Sequence, residues 1–212
     1  MLEIKLNIVN KREYEENENY KEVIIRIPKP EEELRKDFQY LELNIDNLSI
    51  QDTHINECEI IDSRDPHFSA CMSTALNNII LRAKESGYTT PYQDMNKMYK
   101  FIKSLNEEQR EKLLAVLEYK KEQISNMKDA IKYGINLNDF VFFIGIENPE
   151  EYAKELVIAS VIDREELIDY LDLRNLGIDY MHMDNARITN FGLIYEKEEH
   201  LKINRDIEEE FE

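Results

Sequence analysis

The chain has 212 residues, of which 45 are acidic and 27 are basic, so its formal net charge at pH 7 is −18. Its 42% of hydrophobic residues can bury a core, and five Gly and five Pro exclude collagen-like and Gly/Pro-rich low-complexity architectures. An excess of negative charge disfavours binding to nucleic acid or to an anionic membrane, and it favours a basic partner.

The first segment is predicted to form a small sheet with one helix. Residues 3–9 and 22–27 alternate apolar and polar side chains, which is typical of strands, and residues 48–61 also favour an extended structure. Pro30 can occupy the first position of a short helix. We assign residues 1–62 to an N-terminal α+β domain.

The middle segment has helical periodicity. Apolar residues recur at spacings of three and four, and the pattern predicts four helices with short connectors, which form a central helical bundle at 63–136. The first helix is expected from Phe68 to Ala83, before Gly87, and the second from Thr90-Pro91 to Ile102. The third begins at the capping box of Asn106 and Gln109, and the fourth runs from Ser125 to Gly134.

The third segment, 137–212, is predicted to be a mixed sheet and helix domain. Its expected elements are a strand at 140–146, a helix capped at Asn148-Pro149 with Glu151, a helix from Asp163 that ends at Gly177, and strands at 178–184 and 187–195. The chain is therefore expected to be α+β, elongated and modular.

The charge is not evenly distributed along the chain. Residues 1–60 carry −7, residues 61–135 carry +2, and residues 136–212 carry −13. Two acidic ends thus flank a nearly neutral middle.

Metal binding and catalysis have little support in the sequence. The spacing His54-x3-Cys58-x8-His67-x3-Cys71 could supply four zinc ligands, but it matches no diagnostic zinc pattern, and free cysteines often act as small buried apolar residues. Phosphate-binding loops and the HExxH motif are absent from the sequence. We therefore expect a protein that is not an enzyme and holds neither cofactor nor metal.

Acidic residues of the third segment suggest a binding function. Glu165, Asp169 and Asp172 are spaced to share one helix face, although like charges at such spacing destabilise a helix by about 0.2–0.5 kcal/mol per pair. Duplex DNA carries one charge per roughly 1.7 Å, so 18 charges correspond to about 31 Å of duplex, and a homodimer's charges to about 61 Å. Apolar residues of the same segment favour either a core or a homodimer contact.

The residues ENPEEYAKELV at 147–157 and DYLDLRNLGIDYMHMDNARITNFGLIY at 169–195 resemble the C-terminal region of the ArdA antirestriction family. The residues that match the family pattern are Tyr170, Leu171, Asp172, Gly177, Asp179, Thr189, Gly192 and Tyr195. The first segment is similar as well, through Pro30, Glu32, Glu33, Leu34, Ile50 and Asp52. The +2 middle segment departs from the family's continuous acidic character.

The resemblance implies a non-catalytic inhibitor that mimics B-form DNA and occupies the DNA-binding groove of type I restriction-modification enzymes. It further implies a homodimer formed through the C-terminal domain, no direct contact with nucleic acid or membrane, and a mobile genetic element as the source. The alternative is a mobile-element regulatory protein that binds another basic DNA-binding partner. In either reading we expect a soluble cytoplasmic protein, because the chain's first residues do not form a signal peptide and no apolar stretch could span a membrane.

The carboxylates expected to take the place of phosphates are in the third segment and in the third helix of the middle segment. They are Glu147, Glu150, Glu151, Glu165, Glu166, Asp169, Asp172, Asp179, Asp184, Glu107, Glu108, Glu111 and Glu118. The middle lysines would have to point away from these acids for the track to be continuous.

Overall fold

The computed structural model describes residues 2–16, 20–47, 52–159 and 172–197. Over these residues the chain is α+β, as expected, with eight α-helices and two three-stranded antiparallel sheets. It forms two compact units: unit 1 comprises the described residues of 1–110 and 120–135, and unit 2 those of 111–119 and 136–212. Most of the predicted N-terminal and central domains therefore lie together in unit 1.

Unit 1 is built on a sheet in which the first strand is central. Its strands are β1 (Leu2–Asn10), β2 (Glu22–Ile27) and β3 (Thr53–Asp62), in the order β2-β1-β3. Alternate side chains are buried: Leu2, Ile4, Leu6 and Ile8 are almost inaccessible, whereas the residues between them are half-buried. This period-two burial explains the alternating sequence pattern, because successive strand residues point to opposite faces.

The helices of unit 1 follow the predicted order, with one addition. They are α1 (Lys11–Glu16), α2 (Glu31–Tyr40), α3 (Pro66–Glu85), α4 (Tyr92–Ser104), the start of α5 (Glu107–Tyr119) and α6 (Met127–Ile135), with a 3-10 turn at Ile45–Asn47. The six-residue α1 is not signalled by periodicity. The middle helices do not stand apart from the sheet, since α3 contacts β3 and α4 contacts both β1 and β3.

Side chains of α3 cover the outer edge of β3. Asn77 bonds to both backbone groups of Cys58, Ser73 accepts from Ile60 N at 2.8 Å, and Ser69 accepts from Asp62 N at 2.9 Å. Four helical residues rise about 6 Å and two strand residues about 6.6 Å, so every fourth α3 residue meets every second β3 residue. This edge of the sheet is thereby satisfied without another strand.

Unit 2 contains the second sheet and two helices that pack together. Its elements are a 3-10 turn at Leu137–Asp139, β4 (Phe140–Ile144), α7 (Pro149–Ile158), α8 (Leu173–Met183), β5 (Arg187–Thr189) and β6 (Gly192–Glu196). The strand order is β4-β6-β5. Ile146, Tyr152, Leu156 and Leu193 form the centre of its core.

Three predictions for the third segment are wrong. Residues 178–184 are not a strand, because α8 extends through Met183, and Gly177 lies inside this helix instead of ending it. Glycine is required there for close packing: a Cβ atom at Gly177 would lie 1.8 Å from the carbonyl oxygen of Pro149 in α7. The helix predicted from Asp163 lies outside the described residues up to 171, and the placement of Asp172 on a face of that helix is wrong, because Asp172 is the non-helical N-cap of α8.

Within the described part of the chain, none of the helices combines the length and apolar character needed to cross a membrane.

Candidate acidic binding surface

Unit 2 carries two exposed carboxylates, those of Glu147 in the segment before α7 and of Asp179 on α8. α8 packs against the start of α7 at Gly177 and Pro149, and Asp179, two residues after Gly177, lies on a different side of α8 from this contact. Both carboxylates are exposed, and neither makes a hydrogen bond or an ion pair to another described residue. These two predicted residues are therefore available to a partner.

The carboxylate of Glu150 is also exposed, but it forms an ion pair. Lys154, one helical turn further along α7, binds its carboxylate at 2.8 Å. An exposed pair of this kind contributes little to stability, so a partner's cation can replace Lys154 at low cost. The i, i+4 spacing of the two residues was a signal for this pair in the sequence.

Glu151 and Asp172 hold helix N-termini. Glu151 accepts a hydrogen bond from the backbone N–H of Glu147 at 2.8 Å, and this bond lowers the pKa of the Glu151 carboxyl. Asp172 accepts from the backbone and the side chain of Asn175, at 3.2 and 2.7 Å. Each carboxylate is thus oriented by its own helix, and the exposed Asp172 still presents charge to solvent.

Asp184 and Glu118 are used inside unit 2. The hydroxyl of the fully buried Tyr152 donates to Asp184, and burial together with this bond raises the pKa of Tyr152. Glu118 accepts from the backbone N–H of Asn190 at 3.1 Å and from its side-chain amide, which fixes the turn between β5 and β6. Both carboxylates therefore have structural partners that the sequence did not reveal.

The acids of α5 fall into two groups. Glu107 and Glu108 are exposed in the first turn, where they also favour the helix dipole. Glu111 and Glu118 are half-buried and share a face with Glu107, since spacings of four and eleven residues return to the same side of a helix. Glu165, Glu166 and Asp169 lie outside the described residues.

Lysines of the middle segment are accessible. Five of them are exposed, namely Lys97, Lys100, Lys103, Lys121 and Lys128, whereas Lys120 is buried. Unit 1 therefore presents positive charge among its acids, in keeping with the +2 of the middle segment. Among the described residues, more of the exposed predicted carboxylates belong to unit 2 than to unit 1.

The His/Cys spacing does not assemble a metal site. Among the described residues, no group of three or more His, Cys, Asp and Glu is placed to hold a metal ion. Cys58 is buried in β3, where desolvation raises its pKa to about 12, and His54 is buried beside the ring of Tyr14. Cys71 lies 3.8 Å from His67 on the side of α3.

A scan against models of known protein families and a search of curated proteins returned no match to this chain.

Proposed function

We propose that this protein is a non-catalytic inhibitor that mimics DNA and occupies the DNA-binding groove of a type I restriction-modification enzyme. The observation that carries the proposal is that the carboxylates of Glu147 and Asp179 are exposed and make no hydrogen bond or ion pair with another described residue, in a chain of net charge −18. The resemblance of residues 147–157 and 169–195 to the ArdA family supplies the class of target.

The physical basis of the inhibition is substitution of carboxylate for phosphate. A DNA-binding groove is lined by Lys and Arg side chains that bind phosphate oxygens in a manner independent of sequence. Carboxylates bind the same cations, and Arg does so with two parallel hydrogen bonds. Glu150 and Asp172 are the other predicted carboxylates of unit 2 that are exposed among the described residues.

A homodimer formed through the C-terminal domain belongs to the same proposal. Two copies would carry twice the charge, which corresponds to about 61 Å of duplex DNA. A length of about 61 Å matches the DNA footprint of a DNA-binding enzyme better than the roughly 31 Å of a single copy does.

The test is competition for a type I methyltransferase that is bound to a fluorescent DNA duplex. We expect the purified protein to displace the DNA at low salt and to lose this ability as salt is raised, because exposed charges are screened within about 10 Å at 0.1 M salt. Failure to displace DNA at low salt would refute the proposal for that enzyme. Recovery of a different basic DNA-binding protein from host lysate, without restriction subunits, would favour the regulatory alternative.

A further inference from the structure

Among the described residues, no side chain hydrogen-bonds to the backbone at the outer edge of β2, unlike the outer edge of β3. The sheet order places β2 at the edge, and within the described residues the backbone of β2 hydrogen-bonds to β1 alone. An uncovered strand edge presents unpaired N–H and C=O groups that can pair with a further strand. The sequence of the strand, EVIIRI, decides which strand fits.

The exposed side chains of β2 are arranged symmetrically. Glu22, Ile24 and Arg26 point to the exposed face, while Ile25 and Ile27 are buried on the other. Ile24 is 57% exposed, and it lies midway between an acid and a base. A second copy of this strand, turned through 180°, would place an acid opposite each base.

We infer that β2 is a docking edge for the β2 strand of a second copy of this chain, in an antiparallel pair centred on Ile24. In this register Ile24 meets Ile24 of the second copy, Glu22 meets Arg26, and Val23 meets Ile25. The result is one continuous six-stranded sheet with an apolar contact on the two-fold axis. It is separate from the C-terminal dimer of the proposed function.

The geometry of an antiparallel pair restricts the other registers in which two copies of β2 could pair. Directly opposed residues of an antiparallel pair point to the same face, so a two-fold pair must be centred on a residue. Centres at Glu22 or Arg26 would oppose like charges. Centres at Val23 or Ile25 would place Ile24 against a charged side chain. Only the centre at Ile24 combines an apolar pair with two opposite-charge pairs.

Existing contacts leave the two charges available. Arg26 is exposed, lies 3.4 Å from Glu3, and is paired across the sheet with another cation, Lys5. Glu22 accepts a single hydrogen bond from Asn7, at 3.1 Å. Lys5 is itself paired with Glu59 at 3.1 Å, so an acid from a second copy would be a second partner for Arg26 beside Glu3. Exposed charges of a single sign would make two copies repel each other, whereas the exposed face of β2 carries one acid and one base.

Disulfide trapping tests the register in the full chain. In a Cys71→Ser background, Ile24→Cys should give a covalent dimer under mild oxidation, because self-paired residues have Cα atoms about 4.5–5.5 Å apart, within disulfide range. Leu81→Cys, at a similarly exposed apolar position of α3, is the matched control. A mixture of Glu22→Cys and Arg26→Cys chains should give heterodimers in preference to homodimers.

Charge reversal tests the pairing with the same readout. In the Ile24→Cys chain, either Glu22→Arg or Arg26→Glu should slow cross-linking roughly tenfold, and the double reversal should restore the rate. Circular dichroism checks that each variant is folded. Cross-linking of Ile24→Cys no faster than of Leu81→Cys, or a double reversal as slow as the single changes, would overturn the inference. Cross-linking is measured on a denaturing gel, in which a noncovalent C-terminal dimer dissociates and does not contribute to the signal.

Discussion

The side-chain amide of Asn77 pairs with both backbone groups of Cys58: its Oδ1 accepts from the N–H at 2.9 Å and its Nδ2 donates to the C=O at 2.8 Å. Asn77 thus acts as a one-residue strand against the edge of β3. Cys58 is 2% exposed, so water cannot readily replace these bonds.

We therefore expect Asn77→Leu, which keeps the volume, to lower the free energy of unfolding by about 1–3 kcal/mol, the cost of leaving buried polar groups unpaired. Urea unfolding measures this loss. Asn78→Leu on the exposed side of the same helix is the control and should change stability little. Equal losses for the two variants would show that the hydrogen bonds between Asn77 and Cys58 do not contribute to stability.

Asp62 forms the most buried ion pair described in unit 1. Its carboxylate is inaccessible and binds Arg64 at 3.1 Å and Arg110 at 3.0 Å, and the guanidinium of Arg110 also stacks over Phe68. Asp62→Asn leaves the buried Arg110 without a counter-charge, so we expect a loss of about 3 kcal/mol in the free energy of unfolding. Asp46→Asn, which breaks the exposed pair with Arg35, should cost much less.

The same carboxylate gives a pH dependence. Hydrogen bonds from Arg64, aided by Arg110, hold the pKa of Asp62 well below its usual range. A depressed folded pKa stabilises the protein above the unfolded pKa of about 3.9, and this stabilisation is lost as pH falls below that value. The stability difference between wild type and Asp62→Asn should be constant from pH 7 to pH 5 and shrink towards pH 3. A stability difference at pH 3 as large as that at pH 7 would contradict the lowered pKa of Asp62.

Gly177 sets the distance between α7 and α8. A Cβ atom there would meet the backbone carbonyl of Pro149, which cannot rotate away, so we expect Gly177→Ala to lower the free energy of unfolding by at least about 2 kcal/mol. Gly87→Ala is a matched control, because Gly87 has a φ of +76° but no atom within 4 Å of the added Cβ. Its cost should be limited to backbone strain, about 1 kcal/mol. Thermal unfolding that ranks Gly87→Ala as the worse variant would refute the packing role of Gly177.

Local signals were sufficient for most of the fold. The capping box of Asn106 and Gln109 is confirmed by two reciprocal hydrogen bonds, and the alternation of β1 and β2 is confirmed by their burial. The part of α8 after Gly177 was missed because glycine was taken as a helix end, although glycine also permits close helix packing. Whether Gly177 ends a helix or permits close helix packing depends on Pro149, a residue distant in sequence.

The candidate surface was harder to predict, for the same reason. Asp184 and Glu118 looked free in the sequence, but their partners Tyr152 and Asn190 are 32 and 72 residues away. By contrast, the pairing of Asp172 with Asn175 and of Glu150 with Lys154 follows from helical spacing alone. Composition indicates how much acid the chain carries, and long-range contacts decide which acids reach solvent.

The exposed pair Glu147 and Asp179 allows the proposed inhibitory surface to be tested without disturbing the fold. Glu147→Gln with Asp179→Asn removes two charges but keeps side-chain volume, and stability should change by less than about 1 kcal/mol. At low salt we expect the concentration needed for half-displacement of DNA from the methyltransferase to rise roughly tenfold, since two charged contacts are lost. The matched control is Glu57→Gln with Glu85→Gln, which removes two exposed charges from unit 1. If the control weakens displacement equally, net charge and not this surface governs binding; if neither variant weakens it, both carboxylates lie outside the contact.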